Sequence, residues 1–259
     1  MVTDHCPGFG SAAKFVSTTA LQTWLDANVY TRQDVFILET MGRDAGWLAA
    51  SACVSGIVDL LVLPEVVFDK DLFLKKVKEV MDKKNKCYIV VSEGARFADG
   101  TYLAAGDAKN DGFGHAILGG AGNAIKDMIL EAGLSSRAKV QDLSNAQRCH
   151  ATEQSLTDVE ESFRLGMSAH MHSMNPSFTG QMVGVKRIEG EQYDVEFFTT
   201  AASNVANHVK NVPAEWILAD YQGISKEALA YIQPLVVGQP VILYSEDGLP
   251  RFVKPYYMD

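Results

Sequence analysis

Short apolar runs that alternate with segments of helical periodicity are the feature that most narrows the fold of this chain. The runs are nearly continuous in apolar character and rich in β-branched residues, which is typical of strands buried on both faces. They lie at 34–40, 59–65, 87–95 and 138–144 of the 259-residue sequence. Helical patterns accompany them at 11–28, 47–56, 69–85, 115–133 and 155–174. This order predicts an α/β fold, a mainly parallel sheet with helices on both faces.

The last third of the chain has a different pattern. Residues 182–199 contain two strand-like runs around the sequence EGEQ, which predicts an antiparallel hairpin, and the rest indicates a helical or irregular tail. No internal repeat and no linker-like composition separates these parts. We therefore expect one region over residues 1–259, with an α/β part at 1–181 and a hairpin with a C-terminal extension at 182–259.

The charge of the chain argues against several classes of function. It has 23 Lys and Arg against 32 Asp and Glu, a net charge of −9, and its lysine-rich segment at 69–85 is typical of a solvated helix face. This balance disfavours nucleic-acid binding. The apolar runs fall well short of the roughly 18 residues that a membrane helix needs, and the first ten residues lack the pattern of a secretion signal. We expect no membrane interaction and a cytoplasmic location.

The remaining reactive or apolar residue types have simple interpretations. The four cysteines form no CxxC pair, so we expect reduced and mostly buried thiols. No HExxH or i,i+4 pair is present among the six histidines. We predict that Trp47, Trp216 and the methionine-rich stretch 167–174 belong to the core.

Three loops that directly follow predicted strands carry the polar residues suited to binding. In parallel α/β folds ligands bind at the carboxyl ends of strands, so these loops are the first candidates for a site. The loops are Met41-Gly42-Arg43-Asp44, Glu93-Gly94-Ala95 and Ser144-Asn145-Ala146-Gln147-Arg148. Two arginines suit a phosphate, and a carboxylate with amides suits sugar hydroxyls, so the set favours a phosphorylated polyol. Each arginine could instead form a surface ion pair, and Glu93 could cap a helix.

Several common motifs are absent from the sequence. It contains no GxxxxGK[ST] loop and no GxGxxG after a strand, so the chain itself carries no recognisable nucleotide-phosphate loop. A glycine-rich segment at 112–122 is open to interpretation as a phosphate cradle or as close helix packing. The GxSxG elbow of α/β hydrolases is missing, although a triad without that elbow stays open.

In chain order, the segments TDHCPGFGSAAKF, ETMGRDAGW, IVVSEGA, GFGHAILGG, QRCHATEQSLTDVEES, EWI and DGLPR resemble the 6-phosphofructokinase family. The likeness is to its long bacterial branch, and within that to the diphosphate-dependent members. It covers nearly the whole chain. It implies a glycolytic phosphotransferase that phosphorylates fructose 6-phosphate at the 1-hydroxyl, with diphosphate or ATP as donor and Mg²⁺ as cofactor.

The resemblance also assigns roles to the strand-end loops. It implies that Met41, Gly42 and Arg43 hold fructose 6-phosphate and that Glu93 accepts hydrogen bonds from its hydroxyls. The segment Asn145, Ala146, Gln147 and Arg148 would bring Arg148 to the sugar phosphate. Asn145 departs from the family, which usually has an aromatic or aliphatic residue there. Asp34 stands where shorter members use an arginine, with Arg32 two residues away.

The larger departure lies at the start of the chain. Relatives carry a TIDND or TVDND motif ahead of the TDH that is Thr3-Asp4-His5 here, and its first aspartate acts as the general base in the family. That motif, and the glycine-rich region that binds donor and Mg²⁺, would precede Met1, so we expect no catalytic residue and no Mg²⁺ ligand within this chain.

Two hypotheses follow from that departure. In the first, the chain is the truncated sugar-phosphate half of a phosphofructokinase that lacks the catalytic aspartate motif. In the alternative, it is a non-catalytic phosphosugar-binding remnant or a half-enzyme that needs a partner chain. Losing the donor side would expose apolar surface that relatives bury. The family also implies a homo-oligomer.

Overall fold

Four parallel strands form the main sheet of the structure, a computed structural model that describes residues 2–104, 120–190 and 192–251. The strands are β1 (Asp34–Thr40), β2 (Leu60–Val62), β3 (Lys86–Ser92) and β4 (Ala138–Asp142). Their order is β2-β3-β1-β4, and every pair is parallel. All seven residues of β1 are buried because this strand lies inside the sheet, covered above and below.

Helices cover both faces of the sheet. They are α1 (Phe9–Asn28), α2 (Trp47–Ser51), α3 (Lys70–Lys84), α4 (Ala121–Glu131), α5 (Ala146–Cys149), α6 (Leu156–Ser173) and α7 (Lys226–Ile232). Phe36 and Leu38 of β1 pack in a core with α1, α2 and α7, whereas Val35 and Ile37 pack in a second core with α3 and α4. Alternate residues of one strand therefore serve opposite layers, and the predicted α/β class is confirmed.

Element boundaries depart from the prediction where prolines and glycines interrupt regular structure. β2 stops at Val62 instead of residue 65 because Pro64 lacks the N–H that a further ladder bond needs. The helix predicted at 47–56 changes to a 3-10 turn at Ala52–Ser55 and ends at Gly56 in the left-handed conformation. Residues 112–119, which include the GFGHAILG sequence and the start of the helix predicted at 115–133, lie outside the described residues.

The predicted hairpin is also confirmed. β5 (Gln181–Arg187) and β6 (Val195–Ala201) pair antiparallel over seven residues each. The start of the chain runs along the other edge of β5, since the Asp4 N–H donates to the Val185 carbonyl at 2.7 Å. The Val185 N–H in turn donates to Thr3 Oγ1 at 2.9 Å. The hairpin is therefore tied to the first residues of the sequence.

Asp158 joins α6 to the start of α1. Its carboxylate accepts from the Gly8 N–H at 2.8 Å, from the Ser11 N–H at 3.0 Å and from the Ser11 hydroxyl. Ser155 and Asp158 have the sequence spacing of a capping box, but only half of it is formed. Ser155 Oγ accepts from the Asp158 N–H, and the Asp158 carboxylate does not return the bond. The Ser155 N–H donates to Ser11 Oγ instead. The Asp158 carboxylate therefore caps the start of α1 and not the start of its own helix.

Two predictions about burial are wrong. The methionine-rich stretch is not core, because Met167, Met171 and Met174 are at least half exposed. The cysteines are not mostly buried either, since among them only Cys87 is buried. Composition alone predicts neither result, because burial depends on which face of a helix meets the sheet. Across the described residues, no helix combines the length and apolar character that crossing a membrane requires.

Replacing Asp158 tests this link between helices. Asp158→Ala should lower the free energy of unfolding by about 2 kcal/mol, because the N–H groups of Gly8 and Ser11 lose their acceptor. Urea unfolding of the variant beside Glu160→Ala, an exposed acid on the same helix, measures this effect. Equal midpoints for the two variants would contradict the capping role.

Candidate functional site

Hydrogen bonds on Gly42 join the loop after β1 to the loop after β3. The Gly42 N–H donates to Glu93 Oε1 at 3.1 Å. The Gly42 carbonyl accepts from the Ser92 hydroxyl at 2.6 Å and from the Gly94 N–H at 3.0 Å. We call these four residues the Gly42 clamp. It forms because the parallel register sets Thr40 opposite Ser92, so the two strands end at the same level.

Both glycines of the Gly42 clamp are required, because neighbouring atoms occupy the space that a Cβ would need. Gly42 has φ of 145°, and a Cβ there would overlap the Ser92 hydroxyl. A Cβ on Gly94 would overlap the carbonyl oxygen of Arg43. Any larger residue at either position would push the loops apart.

Arg96 holds the part of the loop after β1 that follows Gly42. Its guanidinium donates to the Arg43 carbonyl at 3.2 Å and pairs with the Asp44 carboxylate. The same guanidinium lies 4.6 Å from the ring centre of Tyr102, which restrains it. Among the described residues, nothing pairs with the buried Nε of Arg43. The backbone around Arg43 is thus fixed, while its Nε–H group has no acceptor among the described residues.

The third predicted segment follows β4, the other neighbour of β1. Asn145 precedes α5, and Ala146 starts it with an N–H that donates to the Leu143 carbonyl. Gln147 is buried, donates from Nε2 to the Ser144 carbonyl at 2.8 Å, and has an Oε1 without a partner among the described residues. Arg148 is exposed and donates to the side chain of Asn145.

Gln147 and Arg148 line a cleft of about 770 Å³. Gly8 and Ser11 at the start of α1, Asp158 of α6 and Arg251 line the same cleft. The structure therefore brings Gly42 and Glu93 into direct contact, with Met41 and Arg43 on either side of Gly42. Arg148 lies in a second cluster. This cluster follows β4, the strand next to β1, at the same edge of the sheet. No hydrogen bond between described residues joins the two clusters.

A buried polar network lies beside the start of the chain. His5 Nδ1 is 2.9 Å from Asp4 Oδ1, and its Nε2 is 2.7 Å from Glu161 Oε2 on α6. The Tyr193 hydroxyl donates to Glu161 Oε1 at 2.7 Å, and the Tyr231 hydroxyl donates to Asp4 Oδ1 at 2.9 Å. The network ties together the chain start, α6, the hairpin and α7.

The network sets the charge state of His5. Burial alone would lower the pKa of His5, but the hydrogen bonds to Asp4 and Glu161 outweigh it and raise that pKa to about 9. For Asp4, burial would raise the pKa, yet the hydrogen bond to His5 and the charges of Lys210 and Arg187 lower it to about 2. The imidazole is therefore a cation between two carboxylates at neutral pH.

Sequence reasoning missed Ser92 and Arg96 as supports of the site, although both flank the quoted Glu93-Gly94 pair. It also missed Glu161, whose contact with His5 spans 156 residues and leaves no local signal. Among the described residues, no group of three or more His, Cys, Asp or Glu side chains could hold a metal ion. The described residues thus form no all-protein cage for Mg²⁺, an ion that proteins usually hold with one or two carboxylates together with the phosphates of a substrate.

Comparison with known proteins gives a consistent family match. A family model described as Phosphofructokinase matches residues 1–172. A pyrophosphate–fructose 6-phosphate 1-phosphotransferase of Halomonas elongata is 36% identical over 98% of this chain and 61% of its own length. The protein of the same name from Xanthomonas campestris is 34% identical over 98% of this chain and 62% of its own length.

A solved structure shares the same fold. The pyrophosphate-dependent phosphofructokinase of Marinobacter aquaeolei superposes with a TM-score of 0.82 at 29% identity, over 96% of this chain and 60% of that protein. The chain therefore spans about three-fifths of the length of the relatives that it matches.

Alanine substitutions at two glycines test the steric fit of the Gly42 clamp. Gly94→Ala should destabilise the fold by about 1–3 kcal/mol, because the added methyl overlaps the Arg43 carbonyl. Gly166→Ala is the matched control, since a Cβ there meets open space and alanine favours the helix by roughly 0.5–1 kcal/mol. Thermal melts of the two variants should shift in opposite directions, and a shift of the same sign would contradict the steric account.

The pH dependence of stability tests the charge of His5. Because the pKa of His5 in the folded protein, about 9, lies above its ordinary value of 6.5, the stabilisation by His5 is complete below pH 6.5 and disappears as pH rises through 9. The stability difference between wild type and His5→Gln should therefore shrink by on the order of 2 kcal/mol from pH 6 to pH 9.5. Urea unfolding at both pH values measures it, with His170→Gln, an exposed histidine, as control. A difference that does not change with pH would show that His5 is neutral.

Proposed function

This chain belongs to the phosphofructokinase family, and from that premise we propose that it is the fructose 6-phosphate-binding half of a diphosphate-dependent phosphotransferase. In the complete reaction the 1-hydroxyl oxygen of fructose 6-phosphate attacks a phosphorus of diphosphate. The bond from that phosphorus to the bridging oxygen breaks and phosphate leaves, while the hydroxyl proton passes to a general base. The products are fructose 1,6-bisphosphate and phosphate, in a step of glycolysis.

The observation that carries this proposal is the Gly42 clamp. It holds two of the three segments assigned to the sugar phosphate in one rigid unit, with Glu93 fixed by a backbone N–H and Arg43 left with donor capacity. In this proposal Met41 and Gly42 form the floor of the sugar site. Arg43 binds an anionic group of the substrate, and Glu93 accepts from a hydroxyl with its remaining oxygen.

Arg148 completes the sugar site in this proposal. Its exposed guanidinium lies at a cleft on the neighbouring strand end, with Gln147 beneath it. The Oε1 of Gln147 is buried without a partner among the described residues, which supports a role in accepting from a ligand or an ordered water. Asn145 and Ala146 position this turn, because the Asn145 side chain accepts from Arg148.

The donor side is proposed to lie in polypeptide outside these 259 residues. Phosphoryl transfer depends on placing the donor and neutralising its charge. As the resemblance to the family implies, diphosphate, Mg²⁺ and the general base would be supplied by that polypeptide. ATP is the alternative donor. Without the donor polypeptide, the chain would act as a phosphosugar-binding module.

Two arginine variants test the site. Arg43→Ala and Arg148→Ala should each weaken fructose 6-phosphate binding by about 1.5–3 kcal/mol, roughly 10- to 150-fold in Kd, through loss of charge-assisted hydrogen bonds. Calorimetric titration measures this, with Lys78→Ala as control because Lys78 forms only an exposed pair with Asp82. Unchanged affinity in both arginine variants would remove the site assignment.

A further inference from the structure

The last described segment of the chain returns to the cleft that Gln147 and Arg148 line. We call residues 237–251 the C-terminal strap. Its contribution to the lining of the cleft consists of Val241, Ile242, Leu243, Pro250 and Arg251. The strand-end loops that predict the sugar site do not include this segment. The C-terminal strap thus adds to the cleft a set of side chains to which the sequence pattern assigns no role.

The root of the C-terminal strap is fixed beside the cleft by Lys14 of α1. The Lys14 ammonium donates to the Gly238 carbonyl at 2.6 Å and to the side-chain oxygen of Gln239 at 2.7 Å. It also donates to the carbonyl of Gln154, a residue that lines the cleft itself, at 3.0 Å. Gln239 Nε2 donates to the Thr152 carbonyl at 2.9 Å. One ammonium therefore holds the strap against the segment that follows α5.

A short hairpin at the tip of the C-terminal strap places Arg251. The Ser245 N–H donates to the Leu249 carbonyl at 2.9 Å, and Gly248 adopts the left-handed conformation, with φ of 80°, in this tight turn. The Arg251 N–H then donates to the Leu243 carbonyl at 2.7 Å. Because Leu243 also lines the cleft, this bond keeps Arg251 beside it.

The charged side chains that line this cleft leave an excess of positive charge. Across the described part of the chain, Asp158 is the only acid in the lining, and its carboxylate already accepts from the N–H groups of Gly8 and Ser11. Arginine–carboxylate pairs occur elsewhere among these residues, but neither Arg148 nor Arg251 takes part in one. In a chain with a net charge of −9, two such guanidiniums at one cleft indicate an anionic ligand.

We infer that Arg251 binds the phosphate of fructose 6-phosphate together with Arg148 and selects a doubly charged head group, an inference that rests on the function proposed above. A phosphate ester carries a charge of about −1.5 to −2 near neutral pH, and a guanidinium offers it a fork of N–H donors. A sulfonate in the same place carries a single negative charge, so each arginine attracts it about half as strongly. Two arginines at the cleft therefore favour a phosphate over a sulfonate.

Two ligands that differ in the charge of the head group test the inference. They are fructose 6-phosphate and 6-deoxy-6-sulfofructose, which has a sulfonate in place of the phosphate ester, and calorimetric titration measures the binding of each. Arg251→Ala should weaken the binding of fructose 6-phosphate about 10- to 100-fold. The same change should weaken the binding of the sulfonate only about three- to tenfold, because the lost attraction scales with the charge of the ligand. The preference of the chain for the phosphate should therefore fall.

Two further variants separate the charge of Arg251 from a structural role. Arg251→Lys retains the positive charge without the fork of donors and should keep most of the preference for the phosphate. Lys78→Ala removes a positive charge from the exposed side of α3, where Lys78 pairs with Asp82, and should change neither affinity. Thermal melts of all the variants should match that of the wild-type chain, because Lys14 and backbone bonds hold the C-terminal strap.

The other possible results are distinct from one another. Unchanged affinity of Arg251→Ala for fructose 6-phosphate, with binding weakened in Arg148→Ala, would overturn the inference and leave the proposed function in place. An equal loss for both ligands in Arg251→Ala would also overturn it, because a residue that only holds the strap does not distinguish the charge of a ligand. A wild-type chain that melts cooperatively and binds neither ligand would contradict the proposed function itself, and the inference with it.

Discussion

The backbone of Gly42 holds two strand-end loops together, and the functional account of this chain depends on that contact. It exists because β1 and β3 are parallel neighbours in register, with their last residues opposite each other. The same strand also fixes α4, since buried Glu39 accepts from the N–H groups of Gly120 and Gly122. Burial raises the pKa of Glu39, and these N–H donors act in the opposite direction. Strand β1 thus positions both α4, which packs on the sheet, and the Gly42 loop that follows the strand.

Local patterns were enough to predict the sheet and the proximity of the loops that follow β1 and β3. The limits 34–40 match β1 because a continuous apolar run has one stable environment, the middle of a covered sheet. Gly42 and Glu93 could be placed near each other because both follow such strands. Contacts between distant segments left no such signal. Asp158 fits a local capping box by its spacing, yet its carboxylate binds the N–H groups of a helix almost 150 residues earlier.

The wrong prediction for the methionine-rich stretch has a physical reason. Apolar residues at helical spacing show that a face is suited to burial, but they do not say what covers it. In α6 the side turned toward the molecule is acidic, because Glu161 and Asp158 are needed by His5 and by α1. The apolar side faces outward as a result.

The central claim is that this chain holds a sugar-phosphate site without the donor side. Calorimetric titration of the wild-type chain with fructose 6-phosphate tests it most directly, with fructose as the control ligand and a thermal melt to establish cooperative folding. The proposed function predicts saturable binding of fructose 6-phosphate and none of fructose, because in that proposal Arg43 and Arg148 bind the phosphate. A chain that melts cooperatively and binds neither ligand would contradict it.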